Sequence, residues 1–284
     1  MKVLVTGGGG VIGSALIASL RTEGHTPYSV DMDPVTYNPD GAEDAWCQDI
    51  NKYHWITGIL SALKPNVVVH LAEINSIDPF VSVHAIKTNV GATAEVLNGC
   101  ARMNIRCVVG TWGAMRTPFN ATTMSMEMKR NLIGVFSNGN AVINEVRMPS
   151  VLHPNYPASS FRAYVNRVFN TVELGQPFVL DACENHMNKV FVCRVSDVVR
   201  KIMETMVHRT RTPVDMIGND TTRNAASMQQ LVSLALDVFE AEHLTIYSRD
   251  VPETIQAIHP SESKVKVMHS IHSMIKEEWH DFTV

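Results

Sequence analysis

The chain opens on Lys2–Thr6, a run of β-branched and apolar residues, and passes directly into Gly7-Gly-Gly-Gly-Val-Ile-Gly13. Glycine recurs at Gly7, Gly10 and Gly13, and a segment of helical apolar period, Val11–Glu23, follows. This order of strand, glycine turn and helix constrains the fold more than any other feature of the sequence. Glycine lets the backbone turn tightly, approach an anion without a Cβ, and seat a helix close against a sheet. The N–H groups of the helix start, around Val11 and Ile12, then face the anion, and a pyrophosphate suits such a mouth. Asp31 follows the next apolar run, Thr26–Val30, where a carboxylate accepts hydrogen bonds from an adenosine ribose. Asp33 is the alternative partner, and position favours Asp31. No arginine accompanies Asp31 in Val30-Asp-Met-Asp-Pro34, and a carboxylate there repels a 2′-phosphate, so the expected cofactor is NAD rather than NADP.

Alternation continues along residues 1–150. Strands are predicted at Lys2–Thr6, Thr26–Val30, Ala45–Cys47, Asn66–Leu71, Ile105–Val109 and Val142–Arg147, and helices at Val11–Glu23, Lys52–Leu63, Val81–Met103 and Thr123–Ser137. Such alternation predicts an α/β fold, a doubly wound parallel sheet of Rossmann-like type, forming the NAD-binding domain. After Arg147 the texture changes: Pro149, Pro154 and Pro157 crowd together, Ala158–Gly175 reads as a helix, and shorter elements follow. Residues 151–284 are expected to form mainly a small C-terminal α/β substrate lobe, with some segments returning to the main sheet. That lobe is expected at the C-terminal edge of the sheet, where ligands of open α/β sheets bind.

Composition excludes several classes. With 45% apolar and 18% charged residues the chain is globular rather than disordered. No apolar run approaches the ~18 residues of a membrane span, and the amino terminus lacks the cleavage site of a signal peptide, so a cytoplasmic protein with no membrane partner is expected. Lys and Arg total 24 against 28 Asp and Glu, with no basic run, which argues against nucleic acid as a partner. Cys47, Cys100, Cys107, Cys183 and Cys193 are scattered and lack Cys-x-x-Cys spacing, so reduced, mostly buried thiols are expected. His269, His272 and His280 permit a metal by spacing, but a solvated helix face is the better reading and no metal is expected. Met124, Met126 and Met128 read as pocket lining or, more often, as core filler.

The chain resembles the extended short-chain dehydrogenases/reductases of the NAD-dependent epimerase/dehydratase family. Thr6-Gly-Gly-Gly-Gly-Val-Ile-Gly13 matches that family's nucleotide loop. Asp49-Ile50 resembles its adenine-contacting pair, and Val68-Val-His-Leu-Ala72, with Leu71 and Ala72, resembles the strand beneath the nicotinamide ribose. Asn89-Val-Gly-Ala-Thr93 resembles the helix flanking the active site. Val190-Phe-Val192 with Asp197-Val198, and Ile217-Gly-Asn219 with Ser227–Leu231, resemble later family segments. Arg147–Ser150, Pro154-Asn155 and Ala158–Phe161 are similar to the branch that includes D-erythronate dehydrogenase, which acts on small polyhydroxy acids. The resemblance implies a small-molecule substrate, bound with the help of Arg147, Asn155 and Ser159, and a homodimer formed through a four-helix bundle.

The catalytic centre departs from this pattern. The family's helix carries Tyr-x-x-x-Lys, in which the lysine tunes the phenol and holds the nicotinamide ribose. Residues one turn apart share a helix face. Here Lys129 is preceded at that spacing by Ser125, and no tyrosine occurs between Trp112 and Asn140. A serine hydroxyl is a far weaker acid than a phenol, so another group must move the proton if redox chemistry persists. Glu73, after His70-Leu-Ala72, is a candidate base or else a salt-bridge member. Thr111 fits the family's substrate-binding hydroxyl or else a strand-end cap. His153 and Tyr156, in the proline-rich crossover, are candidate proton donors or else packing residues. Arg147 is a candidate clamp for a substrate anion or else pairs with a local acid. A catalytically degenerate or non-redox NAD(H)-binding protein is the rival reading.

Overall fold

The computed structural model describes residues 1–33, 42–52, 54–75, 82–112, 121–137, 142–154, 163–176, 179–180, 190–208, 214–216, 225–241, 243–244, 246–249 and 255–258, together with positions 273, 275 and 279. Cys183, the Ile217–Asn219 segment and His269, His272 and His280 lie outside the described residues. The chain divides into two compact units: Met1–Met115, Phe119–Met148 and Val195–Met216 form the first, and Arg116–Pro118, Pro149–Arg194 and Ile217–Val284 the second.

The first unit is built on a seven-stranded sheet. Its strands are β1 (Lys2–Thr6), β2 (Thr26–Asp31), β3 (Asp44–Cys47), β4 (Val67–His70), β5 (Arg106–Trp112), β6 (Ile143–Met148) and, after an excursion into the second unit, β10 (Val214–Asp215). The order is β10-β6-β5-β4-β1-β2-β3, and every pairing is parallel. Parallel neighbours need crossovers, which helices supply. These are α1 (Val11–Thr22), α2 (Trp55–Leu63), α3 (Ser82–Ile86), α4 (Thr93–Met103), α5 (Ala121–Ser137) and α7 (Val195–Val207). Side chains alternate across the sheet. Leu4, Val68, Cys107 and Ile143 join Leu60, Val96, Leu97 and Ile133 of α2, α4 and α5 in one core. On the other face α7 packs against α1, β5 and β6, with Val198 and Ile202 fully buried. The doubly wound Rossmann-like architecture predicted from the sequence is thus observed.

Element ends depart from the predicted spans where backbone chemistry intervenes. The second helix starts at Trp55 rather than Lys52, because His54 sits in the left-handed region at φ 56°. β5 runs past Val109 to Trp112, its last residues pairing with Val146–Met148. Helix Val81–Met103 is not uniform: between α3 and α4 the segment Lys87–Ala92 winds as a π-helix. Of the described cysteines, Cys100, Cys107 and Cys193 are buried and Cys47 is exposed. Among the described residues no helix is long and apolar enough to cross a membrane, and no group of His, Cys, Asp and Glu could hold a metal ion.

In the second unit, β7 (Ser150–Leu152) pairs parallel with β9 (Val190–Arg194), which pairs antiparallel with β11 (Ala225–Ala226). A second small sheet joins β8 (Val179–Leu180), β12 (Ile246–Arg249) and β13 (Ile255–Ile258). Helices α6 (Ala163–Glu173) and α8 (Met228–Val238) pack together. Ser227 and Gln230 close a reciprocal capping box at the start of α8. Trp279 is buried against Phe169 and Phe239 and donates its indole N–H to Asn170 Oδ1 at 3.2 Å.

Candidate active site

The glycine turn is a place of backbone contact. Gly7 takes φ +73°, and a Cβ there would lie 2.6 Å from the amide nitrogen of Ala72. A Cβ on Gly13 would fall 2.1 Å from the Gly7 carbonyl oxygen, so helix, turn and neighbouring strand end meet without side chains between them. The Gly7 and Gly8 N–H groups donate to the Val30 carbonyl at 2.8 and 3.3 Å. Gly10 is the N-cap of α1 and makes no side-chain cap hydrogen bond, so the N–H groups opening the helix at Val11 and Ile12 meet no capping side chain of Gly10. The Asp31 carboxylate stands over the turn: Oδ2 accepts the Gly9 N–H and Oδ1 the Asp33 N–H, both at 3.1 Å. Asp33 therefore enters through its backbone.

A cleft of about 170 Å³, open to solvent, runs from this turn in both directions. On one side it is lined by Asp31, Met32, Asp49 and Ile50. Asp49 Oδ1 accepts both the backbone and side-chain N–H of Asn51 at 2.8 Å, and Asn51 Nδ2 also donates to Thr88 Oγ1 at 2.8 Å. On the other side stand Leu71, Ala72, Glu73 and Ile74, the chain that leaves β4. Leu71 donates its N–H to the Thr6 carbonyl at 2.9 Å, which extends the sheet pairing past the end of β4.

Beneath that end lies a fully buried polar chain. His70 Nδ1 is 2.7 Å from Thr6 Oγ1, and Nε2 is 2.8 Å from Thr93 Oγ1. Burial, and secondarily the Lys129 ammonium, hold the His70 pKa well below the usual imidazole value. The ring is neutral at neutral pH, with one nitrogen donating and the other accepting.

Asn89 comes inward from the π-helical segment. Its Oδ1 accepts the Ile74 N–H and its Nδ2 donates to the Ile74 carbonyl, both at 2.8 Å, while Nδ2 also donates to Ser125 Oγ at 2.9 Å. Ser125 and Lys129 lie one turn apart on the inner face of α5 and are both wholly buried. Lys129 Nζ donates to Glu73 Oε2 at 3.1 Å, with side chains only 1% and 5% exposed. Glu73, Asn89, Ser125 and Lys129 are therefore brought together, whereas Lys129 itself is not among the residues lining the cleft.

Other predicted residues lie elsewhere. Thr111 is buried in β5 and donates its hydroxyl to Glu145 Oε1 at 2.7 Å; it does not line the described cleft. Arg147 pairs through Nε with Glu145 Oε2 at 3.0 Å, and Arg130 reaches the same carboxylate at 3.4 Å. His153 belongs to the second unit. Its N–H donates to Asn166 Oδ1 at 2.9 Å, and burial lowers its pKa. Asn155, Tyr156 and Ser159 lie outside the described residues. Sequence reasoning missed Glu145, Asn51, Thr88 and Thr93. Glu145 carried a usable signal, since residues i and i+2 of a strand share a face and Arg147 follows it at that spacing.

Chemically, the cleft offers a glycine turn opening a helix with no capping side chain, a carboxylate over the turn, and a buried carboxylate–ammonium pair behind the other end. No curated protein matches the chain in sequence. The fold is similar to MoeE5 in complex with UDP-glucose and NAD (23% identity over 84% of this chain and 82% of that one, TM-score 0.69). It is also similar to a UDP-glucose 4-epimerase of Thermotoga maritima with UDP-glucose (17% identity, 100% of both chains, TM-score 0.77). WbmG of Bordetella bronchiseptica in complex with NAD and UDP is a third (16% identity, 98% and 93%, TM-score 0.73). Residues 3–116, the segment carrying β1 to β5 and the glycine turn, match the model of the NAD dependent epimerase/dehydratase family.

Proposed function

We propose that the protein is an NAD-dependent oxidoreductase or epimerase of the short-chain dehydrogenase type, acting on a small hydroxylated substrate such as a sugar, nucleotide sugar or sugar acid. The observation that carries this reading is the glycine turn packed at backbone distance on Ala72, with Asp31 over it and a cleft on both sides. Its residues fit a dinucleotide: Gly7, Gly10 and Gly13 with the N–H groups of Val11 and Ile12 for the diphosphate, Asp31 for the adenosine ribose, Asp49 and Ile50 for the adenine. For the nicotinamide half, Leu71 and Ala72 line the opposite end, and Asn89 and Lys129 hold Ile74 and Glu73 there. When bound, NAD supplies a hydride acceptor and donor. Structures of similar fold that hold NAD with UDP-glucose, or NAD with UDP, support the substrate class. Residues 1–150 bind the nucleotide and residues 151–284 mainly the substrate, with Arg147, Asn155 and Ser159 on the substrate side. The protein works in the cytoplasm as a homodimer.

Because no tyrosine precedes Lys129 at the family spacing, proton handling falls to another group among Glu73, His153 and Tyr156, with Thr111 as a substrate-binding hydroxyl and Ser125 too weak an acid to serve alone. The same observation favours a second reading, a non-redox role such as elimination or cyclisation on a bound nucleotide. Absorbance near ~340 nm reports hydride on the nicotinamide and separates the two. The purified protein is followed at that wavelength with a panel of hydroxy acids and nucleotide sugars. Reduction that survives Ser125→Ala but is lost in Glu73→Gln or Tyr156→Phe is the expected outcome. NAD that raises thermal stability while no substrate changes its redox state selects the second reading. Asp31→Ala relaxes discrimination against NADP, and tighter wild-type binding of NADP than of NAD overturns the cofactor assignment.

A further inference from the structure

Near its end, β6 carries a carboxylate that the dinucleotide reading leaves without a task. Glu145 is buried, and a buried carboxylate is costly unless hydrogen bonds and opposite charge compensate it. Thr111 donates its hydroxyl to Oε1 at 2.7 Å, Arg147 donates from Nε to Oε2 at 3.0 Å, and Arg130 Nε stands 3.4 Å from Oε1. Arg130 has a second acid on its own helix, the exposed Glu127, which it reaches through Nη1 at 3.1 Å. Thr111 of β5 lies opposite Arg147 in the strand register. Glu145, two residues before Arg147, shares its face of the sheet.

The sheet fixes where this cluster stands. Because the pairings are parallel, the glycine turn after β1, the chain leaving β4 and the ends of β5 and β6 share one edge. The order runs β6-β5-β4-β1, so β6 is separated from β1 by about 14 Å at the usual strand spacing. The nicotinamide half of the proposed dinucleotide points the same way, over the end of β4. Arg147 therefore stands beyond the cofactor, on the side where a substrate lies when hydride passes to or from the ring.

We infer that Glu145 is a positioning residue for substrate recognition: it fixes the Arg147 guanidinium through Nε so that the outer edge of the guanidinium meets an anionic group of the substrate, a carboxylate or a phosphate. This rests on the dinucleotide reading of the cleft and narrows the hydroxylated substrate to an anionic one. A guanidinium carries five N–H donors in one rigid plane, so the bond from Nε orients the whole fork and uses only one of them. Exposure decides which member of the pair meets a ligand: the Arg147 side chain is 29% exposed and that of Glu145 only 4%. Planar, forked pairing is how arginine recognises carboxylates and phosphates. A long side chain held in advance also loses less freedom on binding.

The test is calorimetric binding of three probes to the NAD-loaded protein: gluconate, which carries a carboxylate, glucose 6-phosphate, which carries a phosphate, and uncharged glucitol. The wild type is expected to bind one of the two anions about ten times more tightly than glucitol, as hydrogen bonds between charged groups allow. Which anion it prefers identifies the charged group. Glu145→Ala is expected to bring that anion and glucitol within about threefold of each other by the same reasoning. Glu145→Gln retains most of the preference, because its carbonyl can face Arg147 Nε while its amide donates to the Thr111 hydroxyl. Arg147→Ala loses the preference as Glu145→Ala does, and the double variant loses no more, as residues acting through one another require. A preference that survives Glu145→Ala, or an equal loss in Glu145→Gln, overturns the inference. Should Glu145→Ala not fold, Glu145→Asp keeps the charge and withdraws the carboxylate by one methylene; an undiminished preference there overturns it. A wild type that binds NAD but treats the three probes alike overturns it too and leaves the dinucleotide reading in place. Failure of the wild type to bind NAD removes that reading itself, a distinct result.

Discussion

Lys129 and His70 show how the protein holds two basic side chains in its interior by opposite means. The lysine keeps an anionic partner, Glu73, while the imidazole is flanked by the hydroxyls of Thr6 and Thr93 and is held neutral by burial. The His70 pKa lies below its unfolded value, so the unfolded chain takes up a proton first as pH falls through about 6.5. Stability is then complete above that pH and declines below it, down toward the folded pKa, by up to about 1.4 kcal/mol per pH unit. Urea midpoints at pH 7.5 and 5.5 check this: the acid loss is expected to shrink by about 1 kcal/mol in His70→Asn, and an unchanged loss refutes it. His153, whose pKa burial also lowers, adds a contribution of the same sign that the variant leaves in place. Neither partnership was legible in the sequence. Glu73 was visible as a charge out of place, but its partner lies on another element, and chain order does not state which side chains face each other. Asp31 differs, because a strand end beside a glycine turn fixes where its side chain falls.

At the level of elements, the π-helical segment Lys87–Ala92 places two consecutive residues, Thr88 and Asn89, inward and buried. Thr88 accepts from Asn51, which also holds Asp49, and Asn89 holds Ile74 and Ser125. One wide turn thus ties both ends of the cleft to a single element, a common setting for π-bulges. Replacing Asn89 by Ala removes its hydrogen bonds to the Ile74 N–H and carbonyl and to Ser125, and is expected to cost about 2–4 kcal/mol. A denaturant-midpoint series measures it; a cost below about 0.5 kcal/mol, the level of an ordinary surface change, would show that water replaces the amide. The elements themselves were largely readable. Strand and helix positions follow from β-branched runs alternating with helical period, and the helices end near Gly24 and before Pro65, as their breakers require, whereas the strand order came from the structure. The π-segment was not, because apolar spacing marks a helical face without reporting how many residues the turn contains. The His54 start of α2 escaped for a related reason, since a left-handed non-glycine residue has no marker in hydrophobic pattern.

Across the whole molecule, the proposed homodimer would draw on exposed apolar residues of α3 and α5, which pack together. Val83 and Val135 are each 68% exposed, and Met128 is 42% exposed. Light scattering is expected to give twice the chain mass for the wild type and a single chain mass for Val83→Lys with Val135→Glu. A wild type of single chain mass at micromolar concentration overturns the proposal. The chain leaves the first unit after Met148, re-enters at Val195 to supply α7 and β10, and leaves again after Met216. No single scission can therefore bisect the protein into two independent folding parts. A fragment ending at residue 148 would lack the helix covering one sheet face and the outermost strand. Proteolytic nicking after Met148 should consequently leave the pieces associated, since α7 and β10 of the second piece pack within the first unit.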